Sequence, residues 1–388
     1  MSQKIFTRDF ALCFLAQFSF SIGLCSFIPT LPIYFAKLGA SEAEIGVLVG
    51  ALSVSALVLR PLVGKGLLRV PEKTFMIAGS SIFTLSSISY LFFESFWLLI
   101  IIRLFQGIGL AFYATSSWAL AARIIPEAHR GQGLSYFYLS LNTAFALAPS
   151  IGMFLVNQFN FITFFLVSTG LCLGSLCITS QLRSSQATPA NDPSEEVQHQ
   201  GFLSRKAFPS ATISLMGNFT FGTVTAFFPL FALGHGMKNP GFFFGALAIT
   251  LILGRAFGGK VFDLYNREKV ILPCLAIQIL AMTILSFSTT FPMFMLTAVV
   301  WGMGNAFLYP SLMAYILDRA GSSRGPAIGT YLAVSDLGSG MGPVIMGIIL
   351  ELSNYRTMFL GLVLISLLNF GYFYRIVTRR RKDQHANL

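Results

Sequence analysis

The chain has 388 residues, of which 55% are hydrophobic and only 11% are charged, and its mean hydropathy is +0.72. Soluble proteins carry about 25% charged residues, so this chain has too few charges to cover a surface that faces water. The composition excludes a soluble enzyme, a disordered protein and a secreted disulfide scaffold, and it favours a protein that crosses the membrane many times.

A helix that crosses the hydrocarbon core needs about 20 apolar residues, and twelve segments meet this requirement. In the first half they are residues 9–36, 43–68, 74–93, 97–121, 132–156 and 160–181. In the second half they are residues 207–234, 241–263, 270–290, 293–317, 326–350 and 356–377. The first segment is too long for a signal-peptide core and predicts a retained span.

One connection is long. Residues 183–206 are rich in Ser, Pro, Gln and acidic residues and are almost free of apolar side chains. This composition predicts a flexible cytoplasmic linker. The sequence therefore predicts an all-α membrane protein with one six-helix bundle at residues 1–182 and a second at 207–388, which ends in a basic cytoplasmic tail.

The net charge of +11 raises the question of a nucleic-acid partner. If the N-terminus lies inside, 20 of the 26 basic residues fall in cytoplasmic segments, three fall on the opposite side and three within spans. This asymmetry predicts that both termini face the cytoplasm. It also explains the excess of basic residues by the orientation of the protein in the membrane. The predicted partner is therefore the lipid bilayer and not nucleic acid.

The two halves match each other at an offset of 194 or 195 residues. The matching features are Arg60–Lys65 with Arg255–Lys260, Gly107 with Gly302, Gly109 with Gly304, and Pro149 with Pro343. An ordered series at constant offset indicates a duplication. Parallel six-helix repeats are typical of transporters, whose binding site lies near the midplane between the repeats.

Three motifs identify a family. They are the loop from Gly64 to Lys73, the run Arg103-Leu-Phe-Gln106-Gly107 in the fourth span, and Ala144-x-x-x-Ala148-Pro149-x-x-Gly152 in the fifth span. On these motifs, essentially the whole chain resembles the major facilitator superfamily and, within it, the drug–proton antiporter-like exporters of bacteria. The resemblance implies a monomer in the bacterial cytoplasmic membrane that works by alternating access.

The loop motif departs from the family pattern Gly-x-x-x-Asp-Arg-x-Gly-Arg-Arg. Leu68 replaces its Asp and Glu72 replaces an Arg, while Arg69 is kept; in the second copy Asp263 is kept. In the family this loop holds the cytoplasmic gate by charge pairing. Three alternatives stay open: a weaker gate, a task shared by Arg69 and Asp263, and drift in a tolerant loop. The candidate gating residues are Arg60, Gly64, Lys65, Arg69, Arg255, Gly259 and Asp263.

Of the fifteen acidic residues in the sequence, fourteen lie in loops, tails or near the ends of predicted spans, and Asp336 lies well inside a predicted span. An ionised carboxylate at that depth costs a few kcal/mol, so it must face a wet cavity, pair or take up a proton. Low-dielectric surroundings favour the protonated form, as reversible proton coupling requires. Asp336 is the predicted proton carrier. The alternative is a cap on a neighbouring helix or a permanent pair with a base.

Arg103 is a second intramembrane charge, about 9 Å along its span from Trp97 at 1.5 Å per residue. Helical spacing places polar residues on one face with it, namely Gln106, Tyr113 and Ser117. Such a stripe should face a cavity and not lipid. In the family this arginine is linked to proton transfer, which makes Arg103 a candidate for proton coupling. A purely structural hub for backbone carbonyls is the alternative.

Further polar and aromatic residues fall in or beside the family's cavity-lining spans. Together with the fourth-span stripe, the predicted substrate-binding residues are Gln17, Ser21, Gln106, Tyr113, Asn142, Asn218, Asn305 and Tyr331. Core packing is the alternative for each aromatic ring. Asn142 is the repeat partner of Asp336. No catalytic or metal-binding pattern and no phosphate-binding Gly loop occurs, so the sequence predicts no enzyme, metal or cofactor.

These features predict a secondary active transporter that exports a small amphipathic or metabolite-like solute, with protons as the coupling ion. One alternative is an uptake symporter or uniporter of the same fold. A second is a membrane protein that senses a ligand or scaffolds a partner without transport.

Overall fold

The computed structural model describes residues 6–126, 129–183, 208–264, 267–320 and 324–386. Within these ranges the side chains of residues 130–131, 257–264, 317–320, 324–328 and 379–386 are not described. The predicted linker at 183–206 lies, apart from Arg183, outside the described residues.

Twelve helices form in the described ranges, and no strand occurs there. The first six are α1 (Arg8–Lys37), α2 (Glu42–Gly66), α3 (Glu72–Ser89), α4 (Phe96–Ile124), α5 (Arg130–Gln158) and α6 (Phe161–Ser180). The other six are α7 (Phe208–Gly234), α8 (Gly241–Leu264), α9 (Arg267–Phe287), α10 (Phe291–Ala320), α11 (Arg324–Glu351) and α12 (Tyr355–Ala386). The predicted all-α fold with twelve helices is confirmed.

Ten of these helices are long and apolar enough to cross a membrane. The exceptions are α3 and α8. Seven of the 18 residues of α3 are Ser or Thr, and its first turn carries Glu72 and Lys73, which lowers its hydropathy. For α8 only the segment Gly241–Ala256 is considered, since the side chains of residues 257–264 are not described. The chain is an integral, multi-pass membrane protein, because a soluble protein does not contain so many apolar helices of membrane-spanning length.

The chain divides into two compact units of nearly equal size. The first comprises Met1–Ala40, Val47–Gln198 and Asn239–Gly241, and the second comprises Ser41–Gly46, His199–Lys238 and Phe242–Leu388. In the first unit α1 packs on α5 and α6, and α3 packs on α4 and α6. In the second unit α7 packs on α11 and α12, and α9 packs on α10 and α12.

The internal repeat is visible in the packing within each unit. A Cβ atom on Gly107 of α4 would collide with the Leu52 carbonyl oxygen of α2, and one on Gly302 of α10 would lie 3.0 Å from the Leu247 carbonyl oxygen of α8. Both members of the second pair follow the first by 195 residues. The duplicated glycines therefore let the fourth helix of each half approach the backbone of the second helix at the same place.

Candidate functional site

The guanidinium of Arg103 is buried in the first unit, with 7% of the residue exposed. Its Nε donates to the Leu48 carbonyl oxygen at 2.8 Å, its Nη2 to the Val49 carbonyl oxygen at 3.3 Å, and its Nη1 to Gln106 Oε1 at 3.0 Å. All three acceptors are neutral. Because a buried charge is tolerated only when it is well hydrogen-bonded, these bonds join α4 to α2 and account for the depth of the arginine.

Gln106 connects this arginine to a tyrosine that the sequence did not single out. Tyr90, just after α3, donates its hydroxyl to Gln106 Oε1 at 2.8 Å, and Tyr34 of α1 donates to the Tyr90 carbonyl oxygen at 3.1 Å. Gln106 is fully buried, and its Nε2 has no hydrogen-bond partner among the described residues. The cluster therefore holds a positive charge next to an amide donor that is not used.

A second polar group joins α1 to α4. Gln17 Nε2 donates to Ser21 Oγ at 2.9 Å, and Ser117 Oγ donates to Gln17 Oε1 at 2.7 Å. At most 4% of any of these three residues is exposed. The polar stripe of α4 thus points into the interior of the first unit, where its residues are buried.

The two tyrosines predicted to bind substrate lie in packed surroundings. The Tyr113 ring stacks on Phe20 with ring centroids 3.9 Å apart, and its hydroxyl lies 3.0 Å from Ser175 Oγ. Tyr331 is 4% exposed and belongs to an apolar cluster with Tyr315 and other residues of the second unit. In this structure both rings serve as core packing, the alternative that the sequence left open for aromatic residues.

Asp336 lies on α11, twelve residues after the helix begins at Arg324 and fifteen before it ends at Glu351. At 1.5 Å per residue this is about 18 Å along the helix from Arg324. The residue is partly exposed, and its carbonyl oxygen accepts a hydrogen bond from Ser339 Oγ at 2.9 Å. The acid is therefore inside the apolar span without being sealed in the core.

Close contact between α7 and α11 sets the position of this segment. A Cβ atom on Gly338 would collide with the Leu215 carbonyl oxygen, and one on Gly342 with the Phe219 carbonyl oxygen. Only glycine admits such an approach of two helix backbones. The glycine run after Asp336 consequently brings α11 against the polar face of α7.

That face carries a chain of hydrogen bonds. Asn218 Nδ2 donates to the Ser214 carbonyl oxygen at 2.9 Å and lies 3.1 Å from Ser214 Oγ, which is 2.6 Å from Ser335 Oγ on α11. Ser335, the residue before Asp336, was missed in the sequence. Asn305 on α10 is buried with 5% exposed, and Asn142 on α5 is partly exposed.

The predicted gating residues fall at the ends of α2 and α8. Gly64 and Lys65 lie in the last turns of α2 and are exposed, Arg60 is partly exposed one turn earlier, and Arg69 is exposed in the following loop. Arg255 is partly exposed on α8. Gly259 and Asp263 lie on α8, but their side chains are outside the described part of the structure.

Two contacts of the loop motif were missed from the sequence. Glu72, which replaces a basic residue of the family pattern, lies 3.0 Å from Arg123 in the last turn of α4. Lys73 Nζ donates to the carbonyl oxygens of Ser180 and Leu182 at 2.7 and 2.6 Å, at the C-terminal end of α6. The first turn of α3 thus contacts the C-terminal ends of α4 and α6. The acidic residue at position 72 was the sequence feature that could have indicated an ion pair with a nearby base.

The sequence profile of the Major Facilitator Superfamily matches residues 13–263 and 240–388, which together cover nearly the whole chain. The chain belongs to the major facilitator superfamily. It is a membrane transporter of that superfamily and, as such, not an enzyme.

Individual relatives agree with this family. The chain is 25% identical over 367 residues to the staphylopine export protein of Staphylococcus aureus, covering 88% of this chain and 90% of the relative. It is 25% identical over 349 residues to multidrug resistance protein 1 of Bacillus subtilis, covering 86% and 88%. The crystal structure of the nucleoside transporter NupG has the same fold, with a TM-score of 0.80 at 14% identity and coverage of 96% and 99%.

Proposed function

We propose that this chain exports a small amphipathic or metabolite-like solute by alternating access and couples export to inward movement of protons. The proposal places it in the bacterial cytoplasmic membrane as a monomer with both termini inside. Relatives named for export and for multidrug resistance support the direction of transport. The asymmetric distribution of basic residues supports the orientation.

The observation that carries the coupling is the position of Asp336. A carboxylate about 18 Å along an apolar helix from its first residue is costly when ionised and inexpensive when protonated, so a change of access can change its proton occupancy. Its partial exposure leaves a path for the proton. Asn142, which corresponds to Asp336 in the first repeat, carries an uncharged amide. In the proposal, proton binding and release therefore occur only in the second repeat.

Arg103 is the second residue of the proposed coupling. Its buried charge raises the local positive potential at the vacant Gln106 Nε2 donor. Movement of α4 relative to α2 would break its bonds to the Leu48 and Val49 carbonyls. The free-energy cost of burying the guanidinium charge therefore depends on how α4 and α2 are packed. This arrangement supports a conformational role in coupling.

The polar candidates support a substrate recognised by a few hydrogen bonds. Asn142 and Asn218 are partly exposed and offer amide groups directly. Gln17, Ser21, Gln106 and Asn305 are buried, and so are Tyr113 and Tyr331, so in the proposal these six residues contact the solute only after the helices move. Exposed residues at the helix ends, above all Arg69 and Lys65, support the proposed cytoplasmic gate.

The test begins with cells that contain or lack the protein, in which ethidium and norfloxacin accumulation are compared. The responding compound is then followed in proteoliposomes with an imposed pH gradient. Asp336→Asn should reduce gradient-driven transport to the level measured without a gradient, because an amide at this position cannot take up and release a proton, while exchange without a gradient persists. Glu94→Gln, which removes an exposed carboxylate from the turn before α4, is the matched control.

Other outcomes separate the alternatives. Undiminished gradient-driven transport by Asp336→Asn would remove the proton-carrier role. Increased accumulation in cells that contain the protein would favour uptake. Tight binding of a solute with no flux in either direction would favour a sensor.

A further inference from the structure

An apolar groove of about 400 Å³ lies between the start of α1 and the first turns of α5, outside the polar clusters described above. Its lining, which presents no polar surface, consists of Phe6, Phe10, Ala11, Phe14, Leu15, Tyr136 and Leu139. The volume is within the range of small-molecule sites, about 300–1,000 Å³, but such sites normally carry a few polar groups that orient the ligand. The occupant of this groove is therefore apolar along its length.

The groove opens towards lipid. Phe10 is 1% exposed, whereas Leu15 is 49%, Leu139 42% and Phe6 69% exposed. In a membrane protein, exposed apolar side chains at this depth contact acyl chains. The groove is thus a recess in the lipid-facing surface with an aromatic wall, and a lipid tail can enter it from the side.

A pair of polar groups lies beside one end of the groove. The Tyr136 ring lies 5.4 Å from the Phe6 ring, while its hydroxyl accepts a hydrogen bond from Gln132 Nε2 at 3.1 Å. A tyrosine with an apolar ring and a hydrated hydroxyl is typical of the membrane interface. This end therefore lies at the level of the lipid headgroups.

An exposed cation lies in the first turn of α1. Arg8 is exposed there, next to Asp9, a partly exposed carboxylate whose Oδ1 is buried. The N-terminus of α1 adds a partial positive charge of its backbone amides. A headgroup above the groove consequently meets a cation and a helix N-terminus.

We propose that this groove binds one acyl chain of an anionic phospholipid from the leaflet that holds the N-terminus of α1, with the phosphate beside Arg8. Lipid tails are as apolar as the groove, so the aromatic wall selects by shape and Arg8 selects by charge. The proposal does not depend on the transported solute or on proton coupling.

The test is native mass spectrometry of the full-length protein, released from detergent in the presence of phosphatidylglycerol or phosphatidylcholine with identical acyl chains. The wild-type protein should retain one phosphatidylglycerol about fivefold more strongly, the factor that one basic side chain contributes at an anionic surface. Arg8→Gln should abolish this preference. Leu15→Trp, which fills the groove, should remove the bound lipid.

Leu166→Trp is the matched control, because Leu166 of α6 is 51% exposed, does not line the groove and should retain the lipid. Thermal unfolding of each variant identifies any misfolded protein, and Arg8→Gln, a substitution at the surface, keeps the test valid if Leu15→Trp fails to fold. Equal retention of the two lipids by the wild-type protein would overturn the proposal. So would equal lipid binding by the two Trp variants, displacement of lipid by ethidium, or a dimer whose formation Leu15→Trp prevents.

Discussion

The Glu72 carboxylate and the Arg123 guanidinium lie 3.0 Å apart and join the first turn of α3 to the last turn of α4. The acid stands where the family pattern has a basic residue. The loop motif has therefore lost one charge interaction and gained another, within the same unit and on the same side of the helices.

Reversing one charge of this pair should destabilise the first unit. Glu72→Arg places two guanidinium groups together and should lower the free energy of unfolding by up to about 1 kcal/mol, a small value because both side chains are partly exposed. The double variant Glu72→Arg/Arg123→Glu should recover most of the loss. Thermal unfolding in detergent measures the change, and Glu94→Arg at an exposed site is the control. Equal loss in the single and double variants would contradict a direct ion pair.

Removing the Lys73 amine should loosen the end of α6. Lys73→Met deletes the donor to the Ser180 and Leu182 carbonyl oxygens and should cost about 1.5 kcal/mol, the low end for hydrogen bonds to a charged group, because one of the two bonds is exposed and the other only partly buried. Hydrogen exchange of the last turn of α6 should increase. Arg69→Met, at an exposed position in the same loop, should leave that exchange unchanged. Unaltered protection in Lys73→Met would show that the lysine does not cap α6.

Gln106→Leu should be strongly destabilising, because it leaves the Tyr90 hydroxyl and Arg103 Nη1 without their shared acceptor. Each buried polar group left unsatisfied costs about 1–3 kcal/mol. Thr84→Val gives the opposite contrast, since the Thr84 hydroxyl is buried without a partner and its loss should be neutral or stabilising. The midpoints of thermal unfolding test both. A mild effect of Gln106→Leu would mean that the cluster contributes little to stability.

Gly338→Ala should separate α11 from α7, since the added Cβ would collide with the Leu215 carbonyl oxygen. Overpacking of this kind costs about 1–3 kcal/mol. Gly329→Ala on the same helix has no atom within 4 Å of the new Cβ and should gain up to about 1 kcal/mol from helix propensity. If both variants unfold at the same temperature, the close contact does not constrain the packing of α7 and α11.

Sequence reasoning was most successful where the signal is local or repeated. The helices follow from apolar runs of sufficient length, and the offset of 195 residues predicted a duplication that recurs in the contacts of Gly107 and Gly302. It was least informative about contact partners. The spacing of Arg103 and Gln106 indicated a shared face, but the acceptors on α2 and the Tyr90 hydroxyl come from segments distant in sequence.

The amino-acid sequence by itself determined that this protein is a duplicated bundle of membrane helices, because hydropathy and a constant offset need no knowledge of which helix lies beside which. The tertiary structure alone decided that Arg103 is held by neutral acceptors, that Tyr113 and Tyr331 pack in cores, and that Glu72 pairs with Arg123. The reason is geometric: a buried polar group bonds to whatever the neighbouring helix presents at that height, and helix pairing sets that neighbour.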